Sequence, residues 1–301
     1  MKVSGLLAAV ATPVRSDGRP DDDTFDRLID FLIERGVDGV VIGGATSEYP
    51  HFEIADRVAM IRRAVARVPS GKLTLAAIGA TSPRAPLELG RHALDAGVAA
   101  VLLPMPMFFR YQQRDLYAFC TQVSRKLAAP CLLYDLPDFT NAIAPETAIE
   151  LLRSEAHIIG IKDSSGRPER LAMFAGARGD SEWSLMVGDD GLLRQGMACG
   201  WDGGVSGIAS FCPELLVALH RSCRRGETAE AQRLQGLLDE LIERLSWFPA
   251  PWGIRLGLAA RGLDTGPLPL PLSDERMAQI ARFQEWVPGW IDRAVACGAR
   301  L

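Results

Sequence analysis

Eight times in succession a short, continuously apolar run is followed by a segment with helical spacing, the pattern of parallel strands covered on both faces. The strand-like runs fall at 3–11, 39–43, 73–78, 99–103, 131–134, 158–161, 184–187 and 203–207. Helical segments at 25–35, 53–66, 85–96, 113–127, 145–152, 168–175 and 192–198 lie between them. The first shows how they read. Asp21-Asp22-Asp23-Thr24 offers caps, Phe25, Leu28, Ile29, Phe31 and Leu32 an apolar face, and Gly36 an end. Eight such units in about 220 residues predict an α/β fold closed as a (β/α)8 TIM barrel. An open doubly wound sheet would want a glycine-rich phosphate loop after its first strand, and Val14-Arg15-Ser16-Asp17-Gly18 is not one. After Pro213 the pattern is wholly helical, at 214–224, 229–245, 251–261 and 274–296, with a proline-rich interval at 267–271. The expected division is a barrel over 1–224 and a C-terminal helical region over 225–301.

Charge and composition exclude several partners. A net charge of −4 and a pI near 5.7 leave no basic field for nucleic acid. The longest apolar span, 96–109, contains Pro104 and Pro106 and is too short to cross a bilayer. Met1-Lys2 and the apolar 6–11 superficially resemble a secretory leader, but they run into a turn at Thr12-Pro13 and read as the first strand. The six cysteines are scattered without a C-x-x-C, as reduced thiols of a cytoplasmic protein would be. The four histidines lie far apart, so no metal site is expected.

Only four of the 33 Lys and Arg residues are lysines, and one of them, Lys162, stands where a buried strand leaves the core. Arginine cannot shed its proton at workable pH, whereas a desolvated lysine can, and it then attacks carbonyl carbon. By itself Lys162 reads first as a strand-end amine reaching for solvent. Barrel chemistry gathers at the C-terminal ends of the strands, and consecutive strands five and six bring Tyr134 beside Lys162. A phenol there can shuttle the protons that carbinolamine formation and dehydration require. Thr46, after strand two, can offer a hydroxyl and a backbone N–H to a carboxylate, or cap a helix.

Gly44-Ala45-Thr46-Ser47-Glu48, Tyr134-Asp135-Leu136-Pro137 and Gly160-Ile161-Lys162-Asp163-Ser164-Ser165-Gly166 resemble, in order and spacing, the dihydrodipicolinate synthase / N-acetylneuraminate lyase family of pyruvate-dependent class I aldolases. Gly188-Asp189-Asp190 and Gly203-Gly204-Val205-Ser206-Gly207 extend the likeness over essentially the whole chain. The resemblance implies a homotetramer built as a dimer of dimers. It implies a Schiff base between Lys162 and pyruvate or another 2-oxo acid, with Tyr134 as proton shuttle and Thr46 holding the carboxylate. No metal or organic cofactor is implied. Three positions depart from the family pattern: Ala45 stands where a hydroxyl residue is usual, and Phe108 where a tyrosine of the neighbouring subunit is common. Phe139 stands where synthases carry an arginine for the aldehyde's carboxylate, and an apolar ring cannot replace a bidentate cation.

The activity expected is an aldolase that cleaves or forms a 2-keto-3-deoxy sugar acid or similar 2-oxo acid, with pyruvate as one product. Ser47, Ser164, Asp189, Asp190 and Ser206 would bind its hydroxyls, with Phe139 beside them. Alternatives on the same imine are a keto-deoxy acid dehydratase and a dihydrodipicolinate synthase-type condensation. From another class, Ala45 and Phe108 allow a catalytically weakened 2-oxo-acid-binding protein.

Overall fold

The computed structural model describes residues 1–298, so the last three of the expected C-terminal helical region lie outside the described residues. Its eight strands are β1 Gly5–Ala9, β2 Gly39–Ile42, β3 Leu73–Ala77, β4 Ala100–Pro104, β5 Cys131–Asp135, β6 Ile158–Asp163, β7 Ser184–Val187 and β8 Gly203–Ser206. They pair in parallel in chain order, and β8 returns to β1 to close the barrel. Helices α1 Asp22–Glu34, α2 Ile54–Arg67, α3 Ala85–Ala96, α4 Gln113–Leu127, α5 Pro145–Ser154, α6 Pro168–Arg178 and α7 Leu193–Ala198 connect successive strands. Helix α8 Pro213–Arg224 follows β8, and α9 Thr228–Leu245, α10 Trp252–Ala260 and α11 Asp274–Gly298 complete the described residues.

The apolar runs are continuous because each strand serves two cores. In β1, Leu7 joins Val41, Leu75, Leu102 and Leu132 inside the barrel, while Leu6 and Ala8 pack outward among the helices. The first expected strand was longer than β1, because apolar residues on either side of Gly5–Ala9 are buried without pairing as strand. At the other end, β5 and β6 each run one or two residues beyond the expected limit, through Asp135 and Asp163.

The C-terminal helices reach back over the barrel. Helix α9 packs on α8, and α11 packs on α8 and α10. Phe248, after α9, meets the Phe283 ring of α11 edge-on at 5.3 Å. From α10, buried Arg255 donates to Glu48 Oε2 at 3.0 Å and to the carbonyls of Thr265 and Pro267 at 3.0 and 2.7 Å. That ion pair fastens α10 to the loop that leaves β2.

Candidate active site

Side chains alternate along a strand, and in β5 and β6 the alternation sorts charge from reactivity. Tyr134 pairs with Lys162 and Asp135 with Asp163 across the two strands. Tyr134 belongs to the barrel interior, whereas Asp135 and Asp163 leave the barrel towards α6. There Arg170 Nε donates to Asp163 Oδ2 at 2.6 Å and Nη1 to the Ile143 carbonyl at 3.1 Å. Its Nη2 lies 2.8 Å from Asp135 Oδ2 as an ion pair outside hydrogen-bond geometry. Burial pushes the Asp135 carboxyl up to about 6, against the pull of Arg170. Removing one member of a buried ionic cluster leaves charge uncompensated, so Arg170→Leu is expected to cost about 3–5 kcal/mol of stability in urea unfolding. An unchanged midpoint would show that the cluster does not hold the two strands.

Lys162 is only 4% exposed, and its Nζ stands 4.0 Å from the centroid of the Tyr134 ring, which is itself 3% exposed. The other lysines are placed differently: Lys2 and Lys126 are exposed, and Lys72 donates to the Val37 carbonyl at 2.5 Å. Lys162 and Tyr134 open together into a cavity of about 290 Å³, with Thr46, Phe139, Ser164, Asp189 and Asp190 also in its wall. Room for the amine depends on Gly188 in the β7 loop. A Cβ there would lie 2.0 Å from Ser164 Oγ and 2.9 Å from Lys162 Cε, so any side chain would displace both.

Polar groups in the wall differ in how far they are already engaged. Ser164 Oγ is buried without a partner, a costly state that a bound polar ligand would relieve. Asp189 Oδ1 accepts from the Gly191 N–H at 2.9 Å, capping a short 3-10 turn. Asp190 accepts from Ser206 and from the Ile208 N–H at 3.3 Å. Burial pushes the Asp190 carboxyl up to about 6, these two bonds and the Lys162 charge pulling the other way. Thr46 lies in the 3-10 turn Ala45–Ser47 and caps no helix through its side chain. The first N–H groups of such a turn have no partner within it and suit an anion.

Two expected contacts are absent. Ser47 is buried with its hydroxyl donating to the Val10 carbonyl at 2.5 Å and accepting from the Gly43 N–H at 3.0 Å, tying β1 to β2 and not facing the cavity. Ser206 is likewise buried. Its Oγ accepts from the Ala209 N–H at 2.9 Å and bonds to Asp190, so it supports the wall without forming it. In their place the sequence reading missed a hydrocarbon wall from the C-terminal helices: Ile242 and Leu245 of α9, the 248–251 loop, and Ile254 of α10. The aromatic and proline-rich stretch Trp247-Phe248-Pro249-Ala250-Pro251-Trp252 was the one signal for it. Phe139 is half exposed and stands in this wall and in that of an adjoining cavity of about 390 Å³.

Barrel and site together define a TIM-barrel enzyme with its chemistry at the C-terminal ends of the strands. The sequence model of the Dihydrodipicolinate synthetase family matches residues 2–284, and the chain belongs to that family, whose members are pyruvate-dependent lyases and synthases. These enzymes hold pyruvate as a Schiff base on a lysine and need no other cofactor. A 4-hydroxy-tetrahydrodipicolinate synthase of Bartonella bacilliformis is 31% identical over 276 residues, 90% of this chain and 94% of the relative. An N-acetylneuraminate lyase of Rhizobium meliloti is 30% identical over 288 residues, 95% of each chain. Among solved structures, YagE of Escherichia coli K12, crystallised with pyruvate, superposes with a TM-score of 0.87 at 26% identity, covering 95% of this chain and 98% of its own.

Proposed function

We propose that this protein is a class I aldolase in which Lys162 condenses with the ketone of pyruvate or of a 4-hydroxy-2-oxo acid, a 2-keto-3-deoxy acid in the broad sense. The observation that carries this reading is the pairing of a buried amine with the ring of a buried phenol at 4.0 Å, facing a cavity. The Lys162 amine adds to C2, and Tyr134 returns a proton to the departing oxygen so that water leaves and an iminium forms. Loss of the C4 hydroxyl proton breaks the C3–C4 bond, releases an aldehyde and moves the electron pair into an enamine. Protonation at C3 and hydrolysis then release pyruvate and restore the amine. Thr46 and the amides of its turn hold the carboxylate, and Ser164, with its unused hydroxyl, holds a substrate oxygen. The exposed Phe108, Phe109 and Tyr111 on the loop after β4 support assembly of subunits into the tetramer through that face.

Borohydride reduction in the presence of pyruvate tests the covalent step. Peptide mapping is expected to find the reduced adduct on Lys162. An adduct on Lys72, or none, would remove Lys162 from this role.

A further inference from the structure

The polar side chains of the site come from the barrel strands and their loops, and the rest of its wall is largely hydrocarbon. Lys162, Tyr134 and Thr46 are taken up by the carboxylate and the reacting carbonyl in the proposed chemistry. Asp189 Oδ1 and Asp190 Oδ2 each accept one backbone N–H, and Ser164 Oγ is buried without a partner, so the polar groups of the inner wall cluster at the strand ends. Beyond them the wall is hydrocarbon, with Phe139, Ile242, Leu245, Phe248 and Ile254 among its members. The adjoining cavity shares Ala45, Leu136, Phe139, Pro249 and Ala250 with the first and adds Met107, Trp252 and Leu270, with Glu48, Tyr49 and His51 as its polar members. The Glu48 carboxylate in its wall is held by Arg255 at 3.0 Å. Hydroxyls pressed against such a wall would lose water without gaining partners, whereas an apolar substituent gains by leaving water.

From this we infer that the aldehyde half of the substrate is apolar, an aryl or branched alkyl aldehyde, and that Phe139 belongs to its binding surface. The inference rests on the proposed aldolase reaction and narrows it. The bonds made and broken are those of the aldol step, with no oxidant or reductant: the enamine carbon joins the aldehyde carbon, the aldehyde oxygen takes up a proton, and water frees the product from Lys162.

The test measures kcat/KM with pyruvate and a panel of benzaldehyde, 3-methylbutanal, glyceraldehyde and succinic semialdehyde, alongside borohydride trapping of pyruvate. The apolar aldehydes are expected to exceed glyceraldehyde by at least ~10-fold, the lower end of what a small apolar group contributes in a hydrophobic pocket. Phe139→Arg is expected to shift the ratio of succinic semialdehyde to benzaldehyde towards the anionic aldehyde. Trapping on Lys162 with glyceraldehyde preferred would overturn the apolar assignment and leave the aldolase reading intact. Absence of trapping would overturn both, and an unchanged ratio in Phe139→Arg would remove Phe139 from the aldehyde's surface.

Discussion

Replacing Lys162 by arginine is expected to abolish imine trapping and to lower turnover on the order of 10⁶-fold, the scale on which enzymes lose rate when a covalent nucleophile is deleted. The substitution keeps a positive charge acting on Asp190 and removes the ability to become a neutral amine. Space is the complication, because Lys162 Cε runs close past Gly188 and a guanidinium is broader than an ammonium. Lys162→Met, of similar length and without charge, separates the two effects: both variants should lose trapping, whatever their difference in melting temperature. Substantial residual turnover in either folded variant would mean that the reaction does not pass through this amine.

How much of this could be read beforehand depended on whether the information was local. The barrel was legible because both faces of each strand are buried, which writes an apolar run into the chain itself. The nearness of Tyr134 and Lys162 followed from strand order, since consecutive strands of a closed barrel are neighbours. Their facing was not readable. It depends on a register that shifts between Cys131 and Leu132, and one residue of slip would exchange Tyr134 with Asp135. The expected strands stop short of Asp135 and Asp163, whose partner Arg170 comes from α6 and is not written into either strand. The hydroxyls failed for a related reason. Ser47 and Ser164 look alike at strand ends, and only the fold decides that the first is spent on the Val10 carbonyl while the second stays free. The apolar wall is still less local, for Ile242 and Ile254 reach the site through packing of helices beyond the barrel.

Tyr134→Phe isolates the hydroxyl from the ring. The amine packs over the ring face, a contact phenylalanine retains, and the side chain is buried in the barrel interior, so the fold and the position of Lys162 should persist. Lost is the hydroxyl that, in the proposed reaction, gives a proton to the oxygen leaving as water. Ala45 and the outward-facing Phe108, which is 91% exposed, supply no second hydroxyl; the other hydroxyl side chains in the cavity wall are Thr46 and Ser164. In the proposed reaction the proton path runs from Tyr134 to one of these, to water or to substrate. Imine formation with pyruvate, followed by rapid mixing and borohydride quench, is expected to slow by about 10²–10⁴-fold, the range of a positioned general acid–base group. Pyruvate binding, which in the proposed reaction rests on Thr46 and its turn, should weaken much less, so kcat falls further than KM rises. Equal losses in both would assign Tyr134 to holding the substrate, and imine formation at the wild-type rate would place the proton transfer elsewhere, with Ser164 or water next in line.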